Sequence, residues 1–170
     1  MGQKKLYSRE FYEGIVTILE SAQKTIPTIL TEFPNAVKIT YEGVTPWKYP
    51  HYLRGKLIDV LLGNNLGEFH KTYDHIDEIA GIGTSYKSLD FMLGSYQDVG
   101  KFKSRIRHYA NELLRGENSI FVNGKRIDIE KKELNLVFPD AFLGAEYKTA
   151  LTELMKEFEG RCEFIFTVIP

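Results

Sequence analysis

Apolar residues recur at three- and four-residue steps from Ser8 to about Phe33: Phe11, Ile15, Ile18/Leu19, Ala22, Ile26, Ile29/Leu30 and Phe33 make one stripe. That spacing predicts a helix with one buried face. Ser8 can cap its start, Pro27 predicts a kink or division inside it, and Pro34-Asn35 ends it. Val37, Ile39 and Tyr41 then alternate with Lys38, Thr40 and Glu42, which predicts a half-buried strand closed by Gly43. Beyond the Pro46–Pro50 connection a helix is expected from about His51 to Leu62, with Leu53, Leu57, Val60 and Leu61 inward and Gly63-Asn64-Asn65 as its stop. Another is expected from about Gly67 to Ala80, carrying Phe69, Tyr73, Ile76 and Ile79. Gly81-Ile82-Gly83 breaks it, and Thr84 or Ser85 can cap a further helix running to about Tyr96. Asp98 caps an amphipathic helix to Leu114, with Val99, Phe102, Ile106, Tyr109 and Leu113 on one face.

The texture then changes to strands. Ile120 to Ile127 reads as a hairpin, because Asn123-Gly124 tolerates the positive φ angles of a type I′ turn. Leu134 to Phe138 predicts a further strand. Asp140 or Gly144 opens a last helix to about Glu159, with Tyr147, Leu151, Leu154 and Phe158 on its apolar face. Arg161 to Ile169 is so apolar and β-branched that a central place in the sheet is expected. The fold class is therefore α+β: a helical N-terminal and middle part, with a small, mostly antiparallel sheet built from one early strand and the C-terminal third.

A length of 170 residues suits one globular domain over 1–170. With 43% hydrophobic and 26% charged residues, a packed core is expected and wholesale disorder is not. Lys+Arg number 22 against 23 Asp+Glu, so the chain as a whole is neither a polybasic coat nor an acidic mimic. The lone Cys162 excludes an internal disulfide and a Cys-based zinc cluster, and suits a reducing, cytoplasmic setting. No apolar run approaches the ~20 residues that span a bilayer, and Met1 to Glu10 lacks the apolar stretch of a secretory signal. No membrane association is expected.

Ile76-x-x-Ile79-x-Gly81-Ile82-Gly83, followed by Leu89 and Phe91, resembles the helix-hairpin-helix motif over about residues 76–93. The resemblance implies sequence-independent binding to nucleic-acid backbone, with the amides of Gly81 and Gly83 facing phosphate and Lys87 assisting. Charge is also segregated. Residues 68–98 hold six acids against Lys71 and Lys87, whereas residues 101–126 hold seven basic residues against Glu112 and Glu117. Lys101, Lys103, Arg105 and Arg107 on the amphipathic helix, with Lys125 and Arg126 on the hairpin, would extend a phosphate footprint.

Two weaker patterns point to metals. His70, Asp74 and Asp77 share one face of the expected 67–80 helix, where solvated i,i+4 pairs explain them equally well. Asp140, Glu146 and Lys148 superficially follow the nuclease arrangement in which carboxylates hold Mg²⁺ and a lysine positions water. Those groups normally lie on two adjoining strands, and Glu146 and Lys148 read as helix. No P-loop or G-x-G-x-x-G is present, so no metal, cofactor or catalytic residue is assigned. The expectation is a small non-enzymatic protein that binds nucleic-acid backbone. The alternative is a protein-binding regulator, such as an inhibitor, immunity or adaptor protein, using Trp47, Tyr49 and Tyr52 as rigid anchors. A metal-dependent nuclease is the third option.

Overall fold

The computed structural model describes residues 8–67, 70–91 and 93–170. The expectations for Met1–Tyr7 and Phe69, and for the side chains of Leu19 and Ala22, lie outside the described residues. The first helical stripe is divided at Pro27, as its position predicts: α1 spans Arg9–Thr25 and α2 spans Ile29–Glu32. Thr28 caps α2 reciprocally, its hydroxyl accepting from Thr31 N at 3.3 Å while Thr31 Oγ1 accepts from Thr28 N at 2.8 Å. β1 (Val37–Lys38) is shorter than the alternating run, and Ile39 N still donates to Val168 O at 2.9 Å. α3 (His51–Leu62) ends at Gly63, whose φ of +82° is the left-handed conformation that glycine adopts freely.

The greatest departure from expectation lies between residues 70 and 88. No helix forms there among the described residues. β2 (His75–Asp77) and β3 (Ile82–Ser88) make an antiparallel hairpin, with Ile76 opposite Gly83. The helix-hairpin-helix resemblance is thereby corrected, since Gly81 sits in a β-turn and Gly83 inside a strand. Asp77 Oδ1 accepts from Ile79 N and Ala80 N, both at 3.0 Å, and this side-chain turn competes with helix. Ile76 is buried while Ile79 is fully exposed, so their three-residue spacing marked no helical face.

α4 (Val99–Arg115) follows, capped by Asp98. β4 (Ser119–Val122) and β5 (Lys125–Asp128) form the expected hairpin, with Asn123 at φ +51° and Gly124 at φ +79°. β6 (Lys131–Pro139), α5 (Ala145–Glu157) and β7 (Glu163–Ile169) complete the chain. The main sheet has the order β1-β7-β6-β3-β2. The class is α+β and β7 is central, but the sheet is mixed rather than mostly antiparallel: only β2 runs antiparallel to its neighbour. α4 lies between β3 and β6 in the chain, and α5 between β6 and β7. Such helical crossovers return each strand in the same direction as the last.

One face of the sheet carries Leu134, Leu136, Phe138, Phe164, Phe166 and Val168, packed with Phe102, Ile106 and Leu113 of α4 and Leu151 and Leu154 of α5. The opposite face packs Val137 and Ile169 against Ile58 of α3. α3 is rotated from its expected phase: Arg54 and Ile58 are buried, whereas Leu53, Leu57 and Val60 are exposed. A helix apolar on most sides has no strong preferred phase, and here the Arg54 guanidinium lies 5.5 Å from the Trp47 ring.

Candidate functional site

β2 stops opposite Thr84, so β3 has a free edge from Ser85 onward. An unpaired strand edge presents backbone donors that need partners. Asp74 supplies one: its Oδ2 accepts from Tyr86 N at 2.6 Å and lies 3.4 Å from Ser85 Oγ. The Asp74 backbone is fixed on both sides, donating to Thr84 O at 2.9 Å and accepting from Asn65 N at 3.2 Å. The Asn65 side chain brackets the peptide groups of Ile76, donating to its carbonyl at 2.8 Å and accepting from its amide at 2.9 Å.

Tyr73, beside Asp74, is fully buried, and its hydroxyl donates to Glu117 O at 2.6 Å. Its ring lies against Gly83, where an added Cβ would come within 2.5 Å of it. The glycine at 83 therefore serves close packing rather than a phosphate-binding amide turn.

α3 brings a second carboxylate. Tyr86 Oη donates to Leu62 O at 3.1 Å, tying the end of α3 to β3. Asp59, three-quarters of the way along α3, is pushed up to about 6 by burial and next by the negative charge of Asp74, while Asn64 and Lys87 pull it down. Tyr86 is raised to about 12, by burial and then by Asp74 and Asp59. Asp59, Asp74 and Lys87 thus share one electrostatic environment around the free edge of β3. On the α4 side, the Lys87 ammonium lies 5.3 Å from the centre of the Tyr109 ring.

Asp74 and Ser85-x-Lys87 stand on adjoining segments of one hairpin, the placement that a carboxylate–lysine nuclease arrangement needs. Two carboxylates and a hydroxyl are hard oxygen donors suited to a divalent cation such as Mg²⁺ or Mn²⁺. The mutual repulsion of the two acids gives such a cation something to neutralise. Among the described residues no three His, Cys, Asp or Glu side chains gather as a metal cage, so water and substrate oxygens would complete the coordination.

The other sequence candidates are dispersed. His70 Nδ1 accepts from Tyr73 N at 3.1 Å, His75 bonds Gly63 O at 2.8 Å, and Asp77 closes its turn. Of the expected ligand face only Asp74 reaches the site. Asp140 lies 3.6 Å from Lys38, and Lys148 pairs with Glu32 at 2.6 Å, so the Asp140–Lys148 pattern assembles no centre. Lys103 pairs with Glu153, Arg107 holds Glu157 in a two-pronged contact at 2.7 and 2.8 Å, and Arg126 meets Asp128 at 3.1 Å. Lys101, Arg105 and Lys125 are exposed. Trp47 Nε1 donates to Ile169 O at 2.7 Å, Tyr52 is exposed with the Lys56 ammonium 4.7 Å from its ring centre, and Tyr49 is exposed. Sequence reasoning missed Asp59 and Ser85. The available signal was Ser85-x-Lys87 following Asp74, which a helical reading of 67–80 and 84–96 concealed.

The family model of the CDI toxin restriction endonuclease-like domain matches residues 54–161. No curated protein matches the chain. Among solved structures, a chain of the CdiA-CT/CdiI toxin and immunity complex from Yersinia pseudotuberculosis aligns with a TM-score of 0.52 at 21% identity, covering 64% of this chain and 90% of that one. That likeness speaks for the fold. The family match overturns the expected non-enzymatic backbone binder and its regulator alternative, and with them the helix-hairpin-helix assignment. It favours the third option, a nuclease.

Proposed function

Because the chain belongs to the CDI toxin restriction endonuclease-like domain family, we propose that it is a cation-dependent nuclease with its centre at Asp59, Asp74, Ser85 and Lys87. The observation that carries this reading is the carboxylate of Asp74 bonded to β3 at Ser85 and Tyr86, next to Lys87 and in the field of Asp59. Asp59 and Asp74 would hold the divalent cation, which when bound supplies charge neutralisation at a phosphodiester and a more acidic water. Lys87 would orient the attacking water and face the negative charge that develops as the water oxygen bonds to phosphorus and gives its proton to solvent, while the bond to the leaving oxygen breaks and that alkoxide takes a proton from solvent. Ser85 donates towards Asp74 and keeps that carboxylate in one orientation. The structural relative was solved as a toxin and immunity complex. By analogy, a cognate inhibitor protein is the expected protein partner here.

The test is cleavage of plasmid DNA and of a long RNA by purified protein, with Mg²⁺, with Mn²⁺ and with EDTA. Cleavage should require the cation and fall by about 10²–10³-fold in Lys87→Ala and in Asp74→Asn. Cleavage of either polymer that survives EDTA or both substitutions overturns the proposal.

A further inference from the structure

Beside the site, on its α4 side, a cavity of about 300 Å³ is lined by Lys71, Ser85, Lys87, Tyr109, Glu112 and Arg115, with Thr72 and Gly116 also in its wall. Three cations thus face one carboxylate, and Glu112 is itself within 3.3 Å of His108 on its own helix. The cavity shares Ser85 and Lys87 with the proposed centre, so whatever occupies it is contiguous with the scissile group.

The end of α4 would ordinarily spoil this cavity for an anion, since helix C-termini present unpaired carbonyls and a partial negative charge. Lys132, only 8% exposed, removes that obstacle. Its ammonium donates to Leu114 O at 3.1 Å and Gly116 O at 2.8 Å. Gly116 also sets the cavity wall: a Cβ there would lie 2.2 Å from Thr72 Cγ2, so only glycine lets the Lys71–Thr72 segment close against α4. Arg115 is oriented by its Nε donating to Asn111 O at 3.3 Å, which leaves the remaining guanidinium donors available.

We propose that this cavity is the subsite for the phosphate neighbouring the scissile one, with Lys71 and Arg115 as positioning residues that make the enzyme act on polynucleotides. Volume and charge agree with a sugar–phosphate unit, because the space is at the small end of ligand pockets. This rests on the nuclease reading, and the experiment separates the two.

The experiment compares the wild type with Lys71→Ala, Arg115→Ala and, as a control on the far side of α5, Lys156→Ala. Steady-state cleavage of a labelled oligonucleotide is measured in the activating cation. Equilibrium binding of the same oligonucleotide is measured in EDTA at several salt concentrations. Each of Lys71→Ala and Arg115→Ala should raise KM and weaken binding about tenfold with kcat within about twofold, as loss of one charge-assisted contact implies. Each should also lower the log–log salt slope of binding by about 0.7–0.9. Lys156→Ala should change neither. Unaltered KM, binding and salt slope in both cavity variants would overturn the subsite while leaving the nuclease reading intact. A fall in kcat at constant KM would also overturn it, placing these residues in the chemistry. Absence of cleavage by the wild type, with the binding losses still seen, would overturn the nuclease reading and keep the phosphate site.

Discussion

Asp59 is a carboxyl that the fold holds at a disadvantage when charged. Burial and Asp74 raise it from 3.8 to about 6, so between those values the folded chain binds more protons than the unfolded one. The contribution of Asp59 to stability therefore declines as pH rises from about 4 to about 6, and the penalty persists above that range. Asp59→Asn removes the charge and should raise the melting temperature of the cation-free protein at pH 7.5 but not at pH 4. Equal shifts at both pH values would show that Asp59 is not strained by its charge. The same substitution should weaken divalent-cation binding, which titration calorimetry would read separately. At Gly83 the constraint is steric. Ala at 83 would drive a methyl into the fully buried Tyr73 ring, next in the chain to Asp74. A cost of about 1–3 kcal/mol is expected from such overpacking. Gly83→Ala should lower both the melting temperature and cleavage, whereas Gly124→Ala, in the exposed β4–β5 turn, should lower stability alone.

At the scale of elements, legibility followed how far one periodicity dominated each segment. α4 declared itself through Phe102, Ile106 and Leu113 on one face and Asp98 at its cap. The β4–β5 hairpin was legible because Asn-Gly fits only a few turn types, and β7 because nearly every residue is apolar. The β2–β3 hairpin was not. Its first strand is short, its second carries the polar Thr84, Ser85, Lys87 and Ser88, and Tyr73, Ile76 and Ile79 imitate a helical stripe. What decides the matter is the packing of Tyr73 on Gly83 and the bracket of Asn65 around Ile76, contacts that no local pattern contains. The basic face of α4 was visible in sequence, but its acidic counterparts on α5 were not paired with it. Lys103–Glu153 and Arg107–Glu157 join the two helices. Arg107→Glu should cost about 0.5–1 kcal/mol in denaturant unfolding, recovered in part by adding Glu157→Arg, because such half-exposed pairs contribute little. Oligonucleotide affinity should change less than it does in Arg115→Ala. An equal loss would assign α4's outer face to the nucleic-acid footprint as well.

For the whole molecule, the proposed centre stands where two layers meet around one sheet edge. α3 delivers Asp59 from one face, the end of α4 delivers Arg115 from the other, and β3 with the preceding loop delivers Asp74, Ser85 and Lys87. Net charge near zero concealed this, because it sums the acids of residues 68–98 with the bases of residues 101–126 and says nothing of where each stands. Function was hard to read for a related reason: the proposed centre draws on a helix, a loop and a strand edge, and its one linear trace, Asp74 followed by Ser85-x-Lys87, lay in a segment whose apolar spacing imitates a helix. No described side chain of α1 enters that construction. Its described apolar side chains, Phe11, Ile15, Val16 and Ile18, are all exposed, and its described ion pair, Arg9–Glu13, is internal to the helix. Among the described residues, Pro27 is tied to the body through its carbonyl, which accepts from Leu143 N at 2.8 Å, and Ile29 is buried. A chain beginning at Pro27 should therefore melt within about 3 °C of the full chain, since about 1 kcal/mol shifts a domain of this size by roughly 2–4 °C. It should also retain cation-dependent cleavage, if the proposed centre is correct. A drop of 10 °C or more would mean that α1 contributes to the core, and loss of cleavage at unchanged stability would mean that it belongs to the substrate path.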